Sequence, residues 1–176
     1  IRLDIAYDGT DFSGWQVQPN AVSIQEKIEE ALKIILRQPV RLIGSGRTDA
    51  GVHATGQVAH FRIEQEVELA RLNHALNGIL PETIRILNVQ KVSSDFHARF
   101  GATGKIYHYH LTLGPVANPF MRLYSWRIFE DLDRELLDAA KEIFIGTHDF
   151  TSFANEAHKG SAARNAVRTL YRIDRV

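Results

Sequence analysis

The sequence predicts an α+β protein with two similar halves, and three observations support this fold class. Short segments in which apolar and polar residues alternate, as in half-buried strands, recur along the chain. Segments with helical apolar spacing separate them. The chain has 176 residues, of which 44% are hydrophobic, which is enough for one domain or two small ones. We expect one antiparallel sheet shared by both halves, with helices on one face.

The first half, residues 1–98, has the order strand, helix, strand, strand, helix, strand. "SIQE" at Ser23 is a capping-box pattern that begins the first helix, and Pro81 ends the second. The predicted strands are residues 1–7, 40–43, 57–63 and 84–92. This order is typical of ferredoxin-like domains, which RNA-recognition domains also use.

The second half, residues 99–176, begins a unit of the same kind. Strands are predicted at 105–113 and 122–128, then a helix capped by Asp131, and a last strand from Val167. The pattern stops before this unit is finished. We therefore expect a second ferredoxin-like half that is incomplete.

Composition excludes several classes of protein. The chain has no cysteine, so disulfides, thiolate catalysis and cysteine-based zinc sites are excluded. No apolar run reaches the ~20 residues of a membrane span, and no signal peptide follows Ile1. These features predict a cytoplasmic protein without membrane association. The formal net charge is zero, so the total charge does not indicate a nucleic-acid partner.

The segment "GSGRTDAGVHATGQVAHF", residues 44–61, places four glycines around Asp49. Glycine permits left-handed turns and close approach of the backbone to a bulky ligand. Arg47 is expected to keep the carboxylate ionised, as nucleophilic or general-base catalysis requires. From the residues alone, a turn in which the aspartate only bonds its own backbone is an equally good interpretation.

A metal site is an alternative chemical hypothesis, because Asp49, His53 and His60 supply a carboxylate and two imidazoles. Their spacing matches no familiar metal motif. The sequence also lacks the "GxSxG" and "GxxxxGK[ST]" patterns of serine hydrolases and phosphate-binding loops. The metal site is therefore the weaker of the two chemical hypotheses.

Several motifs together resemble the tRNA pseudouridine synthase A family. They are "YDGTDFSGWQVQ" (7–18), "SIQEKIEEAL" (23–32), "GRTDAGVHATGQVAHF" (46–61), "FHARF" (96–100), "KIYHYH" (105–110) and "DFTSF" (149–153). The resemblance implies an isomerase that converts uridines of the tRNA anticodon stem-loop, at positions 38, 39 and 40, without metal or cofactor. It also implies a homodimer, with tRNA lying across both subunits. Family members continue past the last strand, so the site is expected to be incomplete here.

The resemblance assigns the catalytic aspartate to Asp49 and the active-site tyrosine to Tyr107, which would stack on the target uracil. Arg47 would pair with Asp49 and help hold the nucleotide out of the base stack. The alternative function is a non-catalytic RNA-binding module of the same fold.

The remaining candidates are RNA-binding residues. His97 and Arg99 of "FHARF" are expected to line the pocket or contact phosphate, with a buried structural pairing of Arg99 as the alternative. Trp15 and Gln16 are expected to contact RNA, unless Trp15 packs against the sheet. His53 either assists Asp49 or shapes the loop.

Overall fold

The computed structural model describes residues 1–153 and 166–175. The chain divides into two compact units, Ile1–Tyr107 and His108–Val176. The halves expected from the sequence, 1–98 and 99–176, were defined by motif order and not by contacts, so their boundary stays a prediction. Among the described residues, no helix has the length and apolar character needed to cross a membrane.

The first unit is built on a four-stranded antiparallel sheet with the order β2-β3-β1-β4. Its elements along the chain are β1 (Arg2–Tyr7), α1 (Ile24–Leu36), β2 (Ile43–Gly44), β3 (Ala54–His60), α2 (Leu69–Ile79) and β4 (Ile84–Gln90). In this order the two central strands are the first and third of a βαββαβ unit, as in ferredoxin-like domains. The predicted α+β class and the predicted topology of this half are confirmed.

One face of this sheet and both helices enclose a single apolar core. In β1, burial alternates, with Leu3, Ile5 and Tyr7 buried and their neighbours half-buried. Alternation places every second side chain on the helix-covered face. From α1, Ile24 and Ile28 are fully buried in the same cluster. Each such side chain contributes about 1.5–3 kcal/mol when it leaves water.

Local signals fix the ends of α1. The Ser23 hydroxyl accepts a hydrogen bond from the Glu26 backbone N–H at 3.3 Å, and the Glu26 carboxylate accepts one from the Ser23 N–H at 3.4 Å. This is the predicted capping box. At the other end Arg37 adopts a left-handed conformation with φ 56°, which ends the helix.

The second unit contains short strands and one helix. Its elements are β5 (Leu111–Leu113), β6 (Trp126–Ile128), α3 (Arg134–Phe144), β7 (Gly146–Asp149) and β8 (Val167–Leu170). β5 and β6 form a parallel pair, and β7 and β8 form an antiparallel pair. The strand predicted at 105–113 is therefore too long, because only its last three residues have a strand partner. The helix begins after Asp133 and not after Asp131, since the Asp133 carboxylate accepts from the Leu136 N–H at 2.9 Å.

Candidate active site

Two loops of the first unit lie side by side. The first loop (residues 8–22) follows β1, and the glycine loop (residues 45–53) precedes β3. The Trp15 N–H donates to the Thr48 carbonyl at 3.0 Å, and the Gly51 N–H donates to the Phe12 carbonyl at 3.2 Å. Gly14 permits this approach, because it has φ +90° and a Cβ there would lie 2.5 Å from the Thr48 carbonyl oxygen.

Gln57, a buried residue of β3, anchors the start of the glycine loop. Its side-chain amide donates to the Gly46 carbonyl at 2.8 Å and accepts from the Ser45 hydroxyl at 2.7 Å. On the neighbouring strand, the Tyr7 hydroxyl bonds the Thr48 hydroxyl at 2.9 Å. Burial raises the pKa of Tyr7, so this group stays a neutral hydrogen-bonding partner. The glycine loop is thus bonded to the sheet at Gly46 and at Thr48.

The two loops enclose an open cavity of about 340 Å³. It is lined by Ser13, Gln16, Gln18, Arg47, Thr48, Asp49 and Ala50. Both charged lining residues, Arg47 and Asp49, are exposed. The structure thus brings together three predicted site residues, one from the first loop and two from the glycine loop. The cavity presents a carboxylate and a guanidinium to a ligand from solvent.

The expected ion pair between Arg47 and Asp49 is not formed in the described part of the chain. Arg47 instead donates from Nε to the Gln16 side-chain oxygen at 3.1 Å. The Arg47 side chain is thus directed to the first loop. The Val52 N–H donates to the Asp49 carbonyl at 3.2 Å, so the chain turns at Asp49. The turn is closed by the main-chain carbonyl of Asp49, so the alternative in which its carboxylate closes it is not observed.

Trp15 is a core residue, which corrects the expectation that it contacts RNA. Only 2% of its surface is exposed. Its ring centroid lies 6.0 Å from that of Tyr7, and its indole occupies the space beside Gly44, where a Cβ would lie 2.7 Å from the ring. The packing alternative is therefore right, because burying the indole removes a large apolar surface from water.

His53 connects the end of the glycine loop to the end of β1. Its Nδ1 accepts from the Gly9 N–H at 3.1 Å and lies 3.0 Å from the Asp8 carboxylate. Gly9 is required here because a Cβ would lie 2.1 Å from the Val52 carbonyl oxygen. His53 does not line the cavity, and its contacts are those of a residue that shapes the loop.

The "FHARF" segment packs on the far end of β3. The Ala98 N–H donates to Nδ1 of buried His60 at 3.2 Å, and the His97 ring lies 4.8 Å from His60 and 4.3 Å from Phe100. Burial, and then the charge of His97, lower the pKa of His60. Arg99 is exposed, so the alternative of a buried pairing for it is wrong.

The metal hypothesis fails on geometry. In β3, Ala54 pairs with Tyr7 whereas His60 pairs with Arg2, so His53 and His60 lie at opposite ends of the strand. Over residues 1–153 and 166–175, no three acidic, histidine or cysteine side chains form a group suited to a metal ion.

Tyr107 lies on a segment without regular structure, and 73% of its surface is exposed. The same segment carries Lys105, whose ammonium lies beside Gly46. Lys105 was not predicted as a site residue. Gln57 was also missed, although a signal for it exists. It shares the inward face of its strand with Ala59 and Phe61, and a polar residue on an apolar face indicates a specific partner.

Comparison with known proteins agrees with the motifs. The sequence model of a family described as "tRNA pseudouridine synthase" matches residues 5–101. The chain is 59% identical to tRNA pseudouridine synthase A 1 of Protochlamydia amoebophila (strain UWE25), over 98% of this chain and 68% of that protein.

Two further relatives are more distant. Identity is 47% to tRNA pseudouridine synthase A 1 of Desulfotalea psychrophila (strain LSv54 / DSM 12343), over 97% of this chain and 69% of the relative. Identity is 42% to tRNA pseudouridine synthase A of Syntrophotalea carbinolica (strain DSM 2380 / NBRC 103641 / GraBd1), over 99% of this chain and 68% of the relative. The sheet order, the glycine loop and these identities agree, and the chain belongs to the tRNA pseudouridine synthase family of isomerases.

Proposed function

We propose that this chain isomerises uridine to pseudouridine in tRNA, with Asp49 as its essential carboxylate. The observation that carries the proposal is the exposed Asp49 side chain in the wall of a cavity of about 340 Å³ between the two loops. Among the carboxylates of the described chain, it is the one that lines this cavity. The supporting backbone is fixed by the first loop and by Gln57.

The reaction exchanges one glycosidic bond for another. The Asp49 carboxylate either attacks the ribose C1′ or first removes the C2′ proton, and the bond between N1 and C1′ breaks. The uracil rotates and C5 bonds to C1′; in the first route this breaks the bond between C1′ and Asp49, and in the second Asp49 returns the proton to C2′. C5 then loses its proton and N1 gains one, so the product has the same atoms as the substrate. Either first step needs an ionised carboxylate within reach of the ribose.

The target nucleotide has to leave its base stack to reach Asp49. We assign Arg47 to hold the extruded nucleotide, with Gln16 fixing the guanidinium through the 3.1 Å hydrogen bond. Exposed Tyr107 supplies an aromatic face for the uracil. Exposed Arg99 and half-buried His97 are proposed as RNA contacts outside the cavity, and the target positions as 38, 39 and 40 of the anticodon stem-loop.

Asp49→Asn tests this function in the full-length protein, with tritium release from C5-labelled tRNA as the measurement. The amide keeps the size of the side chain but is neither a base nor a nucleophile, so turnover should fall at least ~10³-fold. Glu64→Gln, an equal charge change at an exposed residue after β3, is the matched control and should retain activity. Unchanged turnover in Asp49→Asn would rule out the assignment. A wild type that binds tRNA but leaves every uridine unchanged would indicate the RNA-binding module instead.

We further propose that the active form is a cytoplasmic homodimer. A chain of zero net charge has a weak field for a polyanion, whereas two chains can combine their basic surfaces along one tRNA. Light scattering of the full-length protein should give twice the mass of one chain. A monomer with full activity would contradict this proposal.

A further inference from the structure

The Lys105 ammonium lies directly on the glycine loop. A Cβ added at Gly46 would be 2.2 Å from Lys105 Nζ and 3.0 Å from its Cε, and no other atom comes as close to that position. A real side chain there would displace the ammonium. Gly46 therefore leaves room for the ammonium of a distant residue of the first unit, and its backbone is not in the left-handed region.

The backbone beside Lys105 is hydrogen-bonded to the sheet. The Gly46 carbonyl accepts from the Gln57 amide at 2.8 Å, and Gln57 is buried in β3. Ser45 is bonded to the same amide group and, through its N–H, to the Val58 carbonyl at 2.7 Å. The ammonium thus lies beside a stretch of backbone that is bonded to the sheet.

The charge of Lys105 is not neutralised within the described residues. The ion pairs among the described residues are formed by other side chains, for example Arg2 with Asp4 and Lys27 with Glu30. None of them includes Lys105. The residue is also exposed. An ammonium in this setting attracts an anion from solution, and Lys binds phosphate as a compact point charge.

The position of this charge relates it to the chemistry. Gly46 precedes Arg47 and lies three residues before Asp49, and Lys105 lies two residues before Tyr107. A nucleotide with its ribose at Asp49 carries a phosphodiester on each side, and the Lys105 ammonium lies beside the loop that carries Asp49. Resting on the proposed function, we propose that Lys105 binds the RNA phosphate beside the target uridine and holds it against Gly46.

Lys105→Met tests the proposal in the full-length protein, because it keeps the length of the side chain and removes only the charge. Loss of one charge-assisted phosphate contact should raise KM for tRNA about tenfold and leave kcat within about twofold. The slope of log Kd against log salt, measured with fluorescein-labelled tRNA, should fall by about 0.9. Lys105→Arg should restore most of the affinity. Lys91→Met, at the opposite end of the sheet, is the matched control and should change neither quantity.

Gly46→Ala supplies an independent arm, because its methyl group displaces the ammonium while leaving Lys105 in the chain. It should weaken tRNA binding about as much as Lys105→Met, and the double variant should be no weaker than either single variant. An unchanged salt slope in Lys105→Met would overturn the proposal even if the wild type is fully active. A wild type without turnover would refute the proposed function instead, while the binding measurements would still decide the role of Lys105.

Discussion

The two units of this chain differ in what their apolar residues do. All twenty buried apolar residues of the described chain lie in the first unit, between Leu3 and Ala98. In residues 108–153 and 166–175 of the second unit none is buried, and large side chains such as Trp126 and Phe129 are 68% and 77% exposed. Both units nevertheless form regular elements with well-capped helices.

This contrast separates element formation from core formation. α3 has its apolar residues on one face, an Asp133 cap and Lys141 in its last turn, so local rules suffice to define it as a helix. Yet Leu136 and Ile143 on that helix are 67% and 71% exposed. An amphipathic helix gains most of its stability from packing, and the described residues give α3 little of it. The first unit, by contrast, has a core of its own.

The largest expected effect comes from a comparison of two leucines, one buried on α2 and one exposed on α3. Leu76→Ala leaves a cavity in the core, because Leu76 is fully buried on α2, and should cost about 2–5 kcal/mol of the free energy of unfolding. Leu136→Ala on exposed α3 should cost less than about 0.5 kcal/mol.

The chain offers a built-in probe for this experiment, because each unit contains one tryptophan. In a Trp126→Phe background, Trp15 alone reports urea unfolding of the first unit in the 176-residue chain. Equal losses for the two leucine variants would mean that the units share one cooperative transition, and the contrast would then be broken.

A smaller effect is expected at the helix caps. Ser23→Ala removes the hydroxyl that accepts from the Glu26 N–H at the start of α1 and should lower the free energy of unfolding by about 1 kcal/mol, whereas Ser23→Thr should largely preserve it. Asp133→Ala should reduce the far-UV circular dichroism of the helices and leave the urea transition seen by Trp15 unchanged. A shift of that transition in Asp133→Ala would show that α3 stabilises the first unit.

Elements determined by nearby residues were predicted well. α1 follows from a capping box and an apolar repeat, both contained in about fourteen residues, and α2 follows from its leucine spacing. The prediction of a strand at 105–113 was too long. Alternation of apolar and polar residues shows that a segment can form a strand, but it does not show which partner strand the segment meets. Only Leu111–Leu113 finds one, and it is a parallel partner.

Three of the candidate site residues share one cavity, whereas their contacts were not predicted. Asp49, Arg47 and Gln16 do line one cavity. The predicted partner of Arg47, Asp49, was wrong. The observed partner, Gln16, lies 31 positions away in the sequence, so this contact depends on how the two loops meet. The burial of Trp15 depends equally on its distant neighbour Gly44. Contacts of this kind follow from the completed sheet, which single-sequence patterns do not contain.

The long-range contacts between the two loops also set when the site can exist during synthesis. Tyr7 meets Thr48 across 41 positions and Gly9 meets His53 across 44. A nascent chain that ends before β3 contains every residue that lines the cavity but lacks the strand to which the glycine loop is anchored, although α1 can already be helical. Once β3 pairs with β1, both walls of the cavity are fixed together, so the cavity forms in a single event of cotranslational folding, before Tyr107 is synthesised.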